Sequence, residues 1–264
     1  MRTGVRRFYR DVRKYWPYAF QAAKALLSAE VAGSYLNWLW WILNPICQMF
    51  TYTLIFGVVF HAAEPYFPIF VFIGLTLWEF FSRVLTHSVR IVKENRNIIF
   101  RVYLPKYILV LIDMLVNAFK MLVSFSVVAV MMLIYRVPMR LSGLYVMPVL
   151  LGLFLFTFGL SNLMMHLGVY VRDLISVTNI VMRLAFYFTG IFYDIEKRIP
   201  AEYSRWMIRL NPVAGFVNEA RTALLYGRVT HAGLLTAWIV LSALLCTGTV
   251  YMIYQNENEY GKVI

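Results

Sequence analysis

Charged side chains inside apolar runs are the residues of this sequence best placed to do chemistry. Arg83, Asp113, Lys120 and Arg183 fall in or beside stretches of Leu, Val, Phe and Met, and Glu79 joins them. Such groups are costly in hydrocarbon and mark ion pairs, substrate paths or polar cavities. Asp113 and Lys120 are seven residues apart, nearly on one helix face, so they are expected to pair or to face a polar cavity. Patterns that would give catalysis are missing. The Gly261–Lys262 pair is followed by Val263 and has Asn256 where a phosphate-cradling loop needs its first glycine. His61, His87, His166 and His231 are scattered, with no H-E-x-x-H pattern, and no metal site is expected. Gly159-Leu160-Ser161-Asn162-Leu163 begins like a nucleophile elbow but lacks the second glycine. Arg172-Asp173 alone puts a carboxylate at an expected cytoplasmic membrane edge. An intramembrane enzyme stays open though no pattern nominates one, and without a nucleotide site any energy would enter through a cytoplasmic surface.

Composition says what must hold these groups. The chain is 61% hydrophobic and 14% charged over 264 residues, with mean hydropathy +0.67. A soluble domain is about 45–50% apolar and 25% charged. Uncharged runs at 31–63, 141–171 and 229–256 each exceed the roughly 20 residues that cross a bilayer core. The class is an all-α integral membrane protein. Its net charge of +12 sits at segment ends, which fits membrane topology and anionic headgroups rather than nucleic acid. Cys47 and Cys246 fall inside expected spans and read as small apolar fillers. No cleavable signal peptide is expected.

Six transmembrane helices are expected, at 36–60, 69–89, 107–134, 144–170, 174–193 and 234–254. Residues 1–15 hold six basic residues against Asp11 and read as a cytoplasmic basic tail. In that tail Arg10, Arg13 and Lys14 are candidates for headgroup attraction, with topology as the plainer reading. Residues 16–34 repeat Trp16, Phe20, Ala23, Leu27 and Val31 at helical spacing, which predicts an amphipathic interfacial helix. Trp38, Trp40 and Trp41 enter the first span and suit an interfacial aromatic belt. The loop 90–106 (RIVKENRNIIFRVYLPK) has five basic residues and one acid, so it belongs in the cytoplasm. Its interior 97–103 is apolar enough for a short helix lying against a cytoplasmic partner.

Residues 194–230 fall outside by the span count, although they hold six basic residues against four acids. That runs against the positive-inside rule, and the stronger signals at 1–15 and 90–106 set the orientation. Pro200 opens one short amphipathic helix carrying Tyr203, Trp206, Met207 and Leu210. Asn211-Pro212 caps a second, with Val213, Phe216, Val217, Ala220 and Leu224 on one stripe and Gly227 at its end. Two external re-entrant helices, dipping into the outer leaflet or covering a pore mouth, are expected. No span reads as carrying a continuous polar face, which sets an ion channel aside.

Four stretches in this order resemble a known family. They are 38–45 (WLWWILNP), 94–106 ending VYLPK, Arg172-Asp173 with 186–193 (FYFTGIFY), and Leu210-Asn211-Pro212 leading to Glu219-Ala220-Arg221. Together they resemble the membrane subunit of bacterial type-2 ABC exporters, in the branch that moves O-antigen, teichoic acid or capsule as lipid-linked polysaccharide. The chain departs from that pattern in having only Lys24 as a base in its interfacial helix and Thr189-Gly190 where Ser-Pro is common.

The resemblance implies a homodimer with two separate ATP-binding subunits that carry the ATP and magnesium, and no cofactor in this chain. Membership would put it in the bacterial cytoplasmic membrane with both termini cytoplasmic. Asn97, Ile98, Ile99, Phe100, Arg101, Val102 and Tyr103 would form the coupling helix. Asn211, Pro212, Glu219 and Arg221 would belong to an external gate. Trp38, Trp41, Phe186, Tyr187, Phe192 and Tyr193 are the candidate substrate-channel aromatics, since sugars stack on aromatic faces; helix packing accounts for them equally simply. Exporters of drugs or small lipids and a lipid-carrier glycosyl- or phosphotransferase are the alternatives. The enzyme would need clustered acids or histidines at a cytoplasmic membrane edge.

Overall fold

The computed structural model describes residues 2–32, 37–59, 64–101, 103–138 and 140–263. Eleven α-helices run in chain order through these residues: α1 Arg2–Ala32, α2 Trp40–Tyr52, α3 Phe67–Glu94, α4 Arg96–Arg101, α5 Tyr107–Ile134 and α6 Val146–Tyr170. They continue as α7 Leu174–Phe188, α8 Ile195–Arg198, α9 Ala201–Leu210, α10 Pro212–Arg221 and α11 Ala232–Val263. Among the described residues no strand occurs, and five helical stretches are long and apolar enough to cross a membrane. They are Trp40–Val59, Phe67–Glu94, Tyr107–Ile134, Leu141–Tyr170 and Ala232–Asn256.

The span expected at 174–193 is shorter than its sequence suggested. α7 has 15 residues, about 22 Å of helix against a hydrocarbon core of about 30 Å. It stops because Thr189 turns its hydroxyl back to the Ala185 carbonyl and Gly190 takes φ +68°, where a Cβ would meet Ile195 at 2.5 Å. Ile191 and Phe192 then turn into the protein and are buried.

The N-terminal segment is also organised differently. Residues expected as a basic tail are helical from Arg2 and continue unbroken into the expected interfacial helix. An inward stripe explains this: Phe8, Val12 and Tyr15 lean on the core, and Ala19 and Ala23 are buried in it. Polar residues occupy the other faces, and α1 lies along α5.

α3 is the centre of the bundle. It packs against α5 and α6, and α6 packs against α11. Membrane helices lack a hydrophobic driving force for association and rely on close backbone approach at small residues. Gly168 of α6 does this against α3, where an added Cβ would stand 2.0 Å from the Val89 carbonyl oxygen. Gly159 faces Leu245 and the Cys246 backbone in the same way. By contrast α2 buries only Pro45, and α7 only Thr178. These two helices line the outside of the bundle.

The segment beyond α7 forms three short helices rather than two. Asn211 accepts bonds from Val213 N and Ala214 N, so it caps α10 with Pro212 at the first position, as its sequence predicts. Thr222–Tyr226 extends α10 as a π-helix and ends at Gly227 with φ +66°. α10 is buried against α3 and α6, whereas α9 turns Tyr203, Trp206 and Leu210 outward.

Candidate functional site

A polar cleft opens between α3, α5 and α7, and its residues come from helix faces that hydropathy alone conceals. α3 contributes Glu79, Ser82, Arg83, Thr86, His87 and Arg90, spaced three, one, three, one and three residues apart. That rhythm is one face of an α-helix. It corrects the expectation that no span has a polar face. The signal was present in the spacing, but it is diluted by the apolar residues on the helix's other three sides. α5 adds Asp113, Asn117 and Lys120, again one face, and α7 adds Asn179, Met182, Arg183, Phe186 and Tyr187. Gln48 and Tyr52 of α2 and Glu30 of α1 complete the lining of a cleft of about 1100 Å³. A second cavity of about 320 Å³ shares Glu30, Glu79, Arg83, Asn117 and Lys120 with it and reaches Trp41 and Asn44.

Ion pairs order this interior. Asp113 and Lys120 both face the cleft, but each has another partner. Lys120 Nζ lies 2.7 Å from Glu30 Oε2, tying α5 to α1. Asp113 Oδ1 lies 3.0 Å from His87 Nδ1, tying α5 to α3. His87 Nε2 is also 2.9 Å from Glu94 Oε2, whose other oxygen is 3.0 Å from Arg90 Nε. Arg83 donates to Glu79 at 3.2 Å, one turn away on α3. Glu79 Oε1 and Asp113 Oδ2 are buried acceptors without a donor among the described residues. Arg183 lines the same cleft without a carboxylate in ion-pair range among the described residues.

The expected channel aromatics divide. Phe186 and Tyr187 line the cleft, and Trp41 lines the smaller cavity, its Nε1 donating to Glu30 at 3.1 Å. Phe192 is instead buried in a stack with Phe56, ring centres 4.3 Å apart, and Tyr193 donates to the Tyr187 carbonyl. Trp38 is exposed in a short 3-10 turn, outside the cleft lining. Tyr52 and Trp78, which the sequence reading passed over, join Phe186 in the aromatic end of the cleft.

The expected gate residues are interior. Arg221 is buried and donates to three backbone carbonyls: Phe70 at 2.8 Å, Gly190 at 2.8 Å and Ile191 at 2.5 Å. Its guanidinium also lies 3.7 Å from the Phe70 ring centre. Glu219 is buried and accepts from Thr230 Oγ1 and the His231 backbone. Asn211 donates to Thr189 Oγ1 while capping α10, and Pro212 is buried. These four residues fasten α10 to its surroundings, because a buried charge is retained only where hydrogen bonds satisfy it. Nearby, burial disfavours the Lys197 ammonium, but the bonded Glu64 carboxylate and Asp194 more than offset this and raise its pKa.

At the opposite end, α4 is the short helix expected at 97–103, and Val102 lies outside the described residues. Asn97, Ile98, Phe100 and Arg101 are exposed and Ile99 is half-buried. Phe100 is 55% exposed, a large apolar group on a charged loop. Tyr103 accepts from Arg7 at 3.0 Å, and Tyr254 links Tyr107 to Asp11 through 2.8 Å bonds on each side. Arg7, Asp11, Tyr107 and Tyr254 therefore anchor the loop to α1 and α11, a set with no sequence signal because its members lie far apart in the chain. Arg10, Arg13 and Lys14 stay exposed on α1.

Residues 21–225 match the family model described as the ABC-2 type transporter. The chain belongs to the ABC-2 type transporter family. It is 28% identical over 206 residues to an O-antigen export system permease protein RfbA of Klebsiella pneumoniae, covering 78% of this chain and 79% of that one. Over 259 residues it is 25% identical to the O-antigen export system permease protein RfbA of Myxococcus xanthus, covering 98% and 99%. The ABC-2 match takes in the cleft, α4 and the α8–α10 segment together. It makes the chain a multi-pass membrane subunit of a transporter.

Proposed function

We propose that this chain is the permease of an ATP-driven exporter whose cargo is a lipid-linked polysaccharide of the O-antigen, teichoic acid or capsule type. The observation that carries the reading is the cleft itself. Its charged stripe and aromatic end lie in an apolar bundle, and α2 and α7, which bury one residue each, form part of its lining. Polar stripes serve hydroxyls and charges in transit, and aromatic faces serve sugar rings. The relatives named as O-antigen export permeases support the cargo class.

The functional unit is a homodimer, with a second copy completing the cleft along α2 and α7. Two separate ATP-binding subunits, which hold the ATP and magnesium, dock on α4 through Ile98 and Phe100. α9, with Tyr203, Trp206 and Leu210 turned outward, lies against the outer leaflet, and the α8–α10 segment closes the outer end. The chain sits in the bacterial cytoplasmic membrane with both termini inside, where Arg10, Arg13 and Lys14 meet anionic headgroups.

The test is to purify the chain with candidate ATP-binding subunits and to measure ATP hydrolysis with lipid-linked glycan added. Co-purification, stimulated hydrolysis and loss of surface glycan on deletion are expected. Stimulation by small lipids alone, with surface glycan unchanged, would replace this reading by the small-lipid exporter. A cysteine placed at position 202 should label from outside the cell.

A further inference from the structure

Arg183 is the charge that the proposed function leaves unexplained. It stands in the middle of a 15-residue apolar helix, about 13 Å from the cytoplasmic end. A cation at such depth persists where it is paired or faces a polar cavity. The other cations of the cleft have protein partners: Lys120 has Glu30, Arg83 has Glu79 and Arg90 has Glu94. Arg183 has none among the described residues. Its side chain is exposed, so it is open to a neutralising group from outside the described residues.

The surroundings select the chemistry of that group. Asn179 and Met182 share the helix face of Arg183, and Phe186 and Tyr187 follow one turn outward. Arg83 of α3 lines the same cleft with half its side chain exposed and a single nitrogen engaged on Glu79. The carboxylates of the cleft each already face a cation or an imidazole, so they oppose an incoming anion only weakly. A guanidinium offers a planar fork that matches two phosphate oxygens, and Arg is the side chain best suited to that geometry.

We propose that the cleft holds the phosphate or diphosphate of the lipid-linked substrate, with Arg183 as its principal ligand and Arg83 as its second. This rests on the cargo proposed above and adds an orientation to it. The phosphate is held at Arg183, and the first sugar lies one turn outward against Phe186 and Tyr187.

The experiment uses the complex with its ATP-binding subunit in nanodiscs and farnesyl diphosphate as the probe, with farnesol, inorganic pyrophosphate and phosphatidylglycerol as comparators. Wild type should bind farnesyl diphosphate more tightly than farnesol. Arg183→Gln should weaken the diphosphate by about tenfold or more while leaving farnesol unchanged. Arg183→Lys should fall between, since it keeps the charge and loses the fork. Arg172→Gln, in the polar turn before α7, should bind as wild type does. Pyrophosphate competing with the probe in wild type but not in Arg183→Gln would support the site. Equal competition by phosphatidylglycerol would overturn it, because bulk headgroups would then be the ligand. Unchanged diphosphate affinity in Arg183→Gln would overturn it too, as would loss of the dimer without a change in affinity. Surface glycan is scored in the same cells. If wild type exports none, the cargo reading fails; if it exports normally while Arg183→Gln binds normally, only the assignment to Arg183 fails.

Discussion

Gly74 and Arg221 give the sharpest test of how the α8–α10 segment is held. A Cβ on Gly74 would lie 2.1 Å from Arg221 Nη2 and 3.0 Å from its Cζ, so Gly74→Ala must push the guanidinium away. The displaced group loses its bonds to Ile191 and Gly190, the two carbonyls beyond α7. Hydrogen bonds to charged donors contribute about 1.5–3 kcal/mol each, and alanine returns about 1 kcal/mol of helix propensity. The expected net loss is about 2–5 kcal/mol. Arg221→Met takes this donor from the Gly190 and Ile191 carbonyls, at about 1–3 kcal/mol each, so it should cost about 2–6 kcal/mol.

The double variant decides. With methionine at position 221 the obstructing guanidinium is gone, and the next contact of the new Cβ is Ile191 at an ordinary 3.5 Å. Gly74→Ala should then be neutral or stabilising by up to about 1 kcal/mol. Unfolding equilibria in mixed micelles measure all four corners of the cycle. Equal costs of Gly74→Ala in both backgrounds would refute the reasoning, because additivity means the methyl group and the guanidinium do not meet.

Three further outcomes follow from the same geometry. Phe100→Asp should abolish co-purification with the ATP-binding subunit while leaving the elution profile and thermal stability of the permease unchanged, since Phe100 touches little of its own chain. Asn211→Ala removes the cap of α10 and should lower stability by about 1 kcal/mol, read as a shifted micelle-unfolding midpoint. Gly168→Ala should sharply reduce folded yield on fluorescence-detected size exclusion, because its Cβ would overlap the Val89 backbone rather than a movable side chain.

Helix existence and order were legible because apolar runs of 20 or more residues leave one ordinary solution in a membrane. Span bounds at 107–134 agree with α5, and the cap at Asn211 and the stop at Gly227 were readable as local chemistry. The end of α7 was not, since it depends on Gly190 meeting Ile195 and on the inward turn of Ile191. The sequence shows the charges in its apolar runs one by one, but not their partners. Asp113 and Lys120 are a plausible pair by spacing, and only the packing of α1 and α3 against α5 hands them to Glu30 and His87. Arg221 could be read as a gate charge from its neighbours in sequence. Its burial at the end of α10 comes from residues 70, 190 and 191, which no local pattern connects.

The charged stripe of α3 has a consequence for how the protein is made. On the insertion scale each charge near a helix centre costs about 2.5–3.5 kcal/mol, and each Leu, Ile, Val or Phe returns only about 0.3–0.6 kcal/mol. Glu79 and Arg83 relieve one another within α3, one turn apart. His87 meets Asp113 only once α5 has been synthesised, and Glu30 of α1 waits for Lys120 on the same helix. α3 leaving the translocon alone would therefore be exposed to lipid with its polar edge uncovered. Release of α3 and α5 together, as a hairpin folded about residues 95–106, removes that exposure. The order of synthesis thus leaves His87 and Glu30 without these partners until Asp113 and Lys120 have followed them.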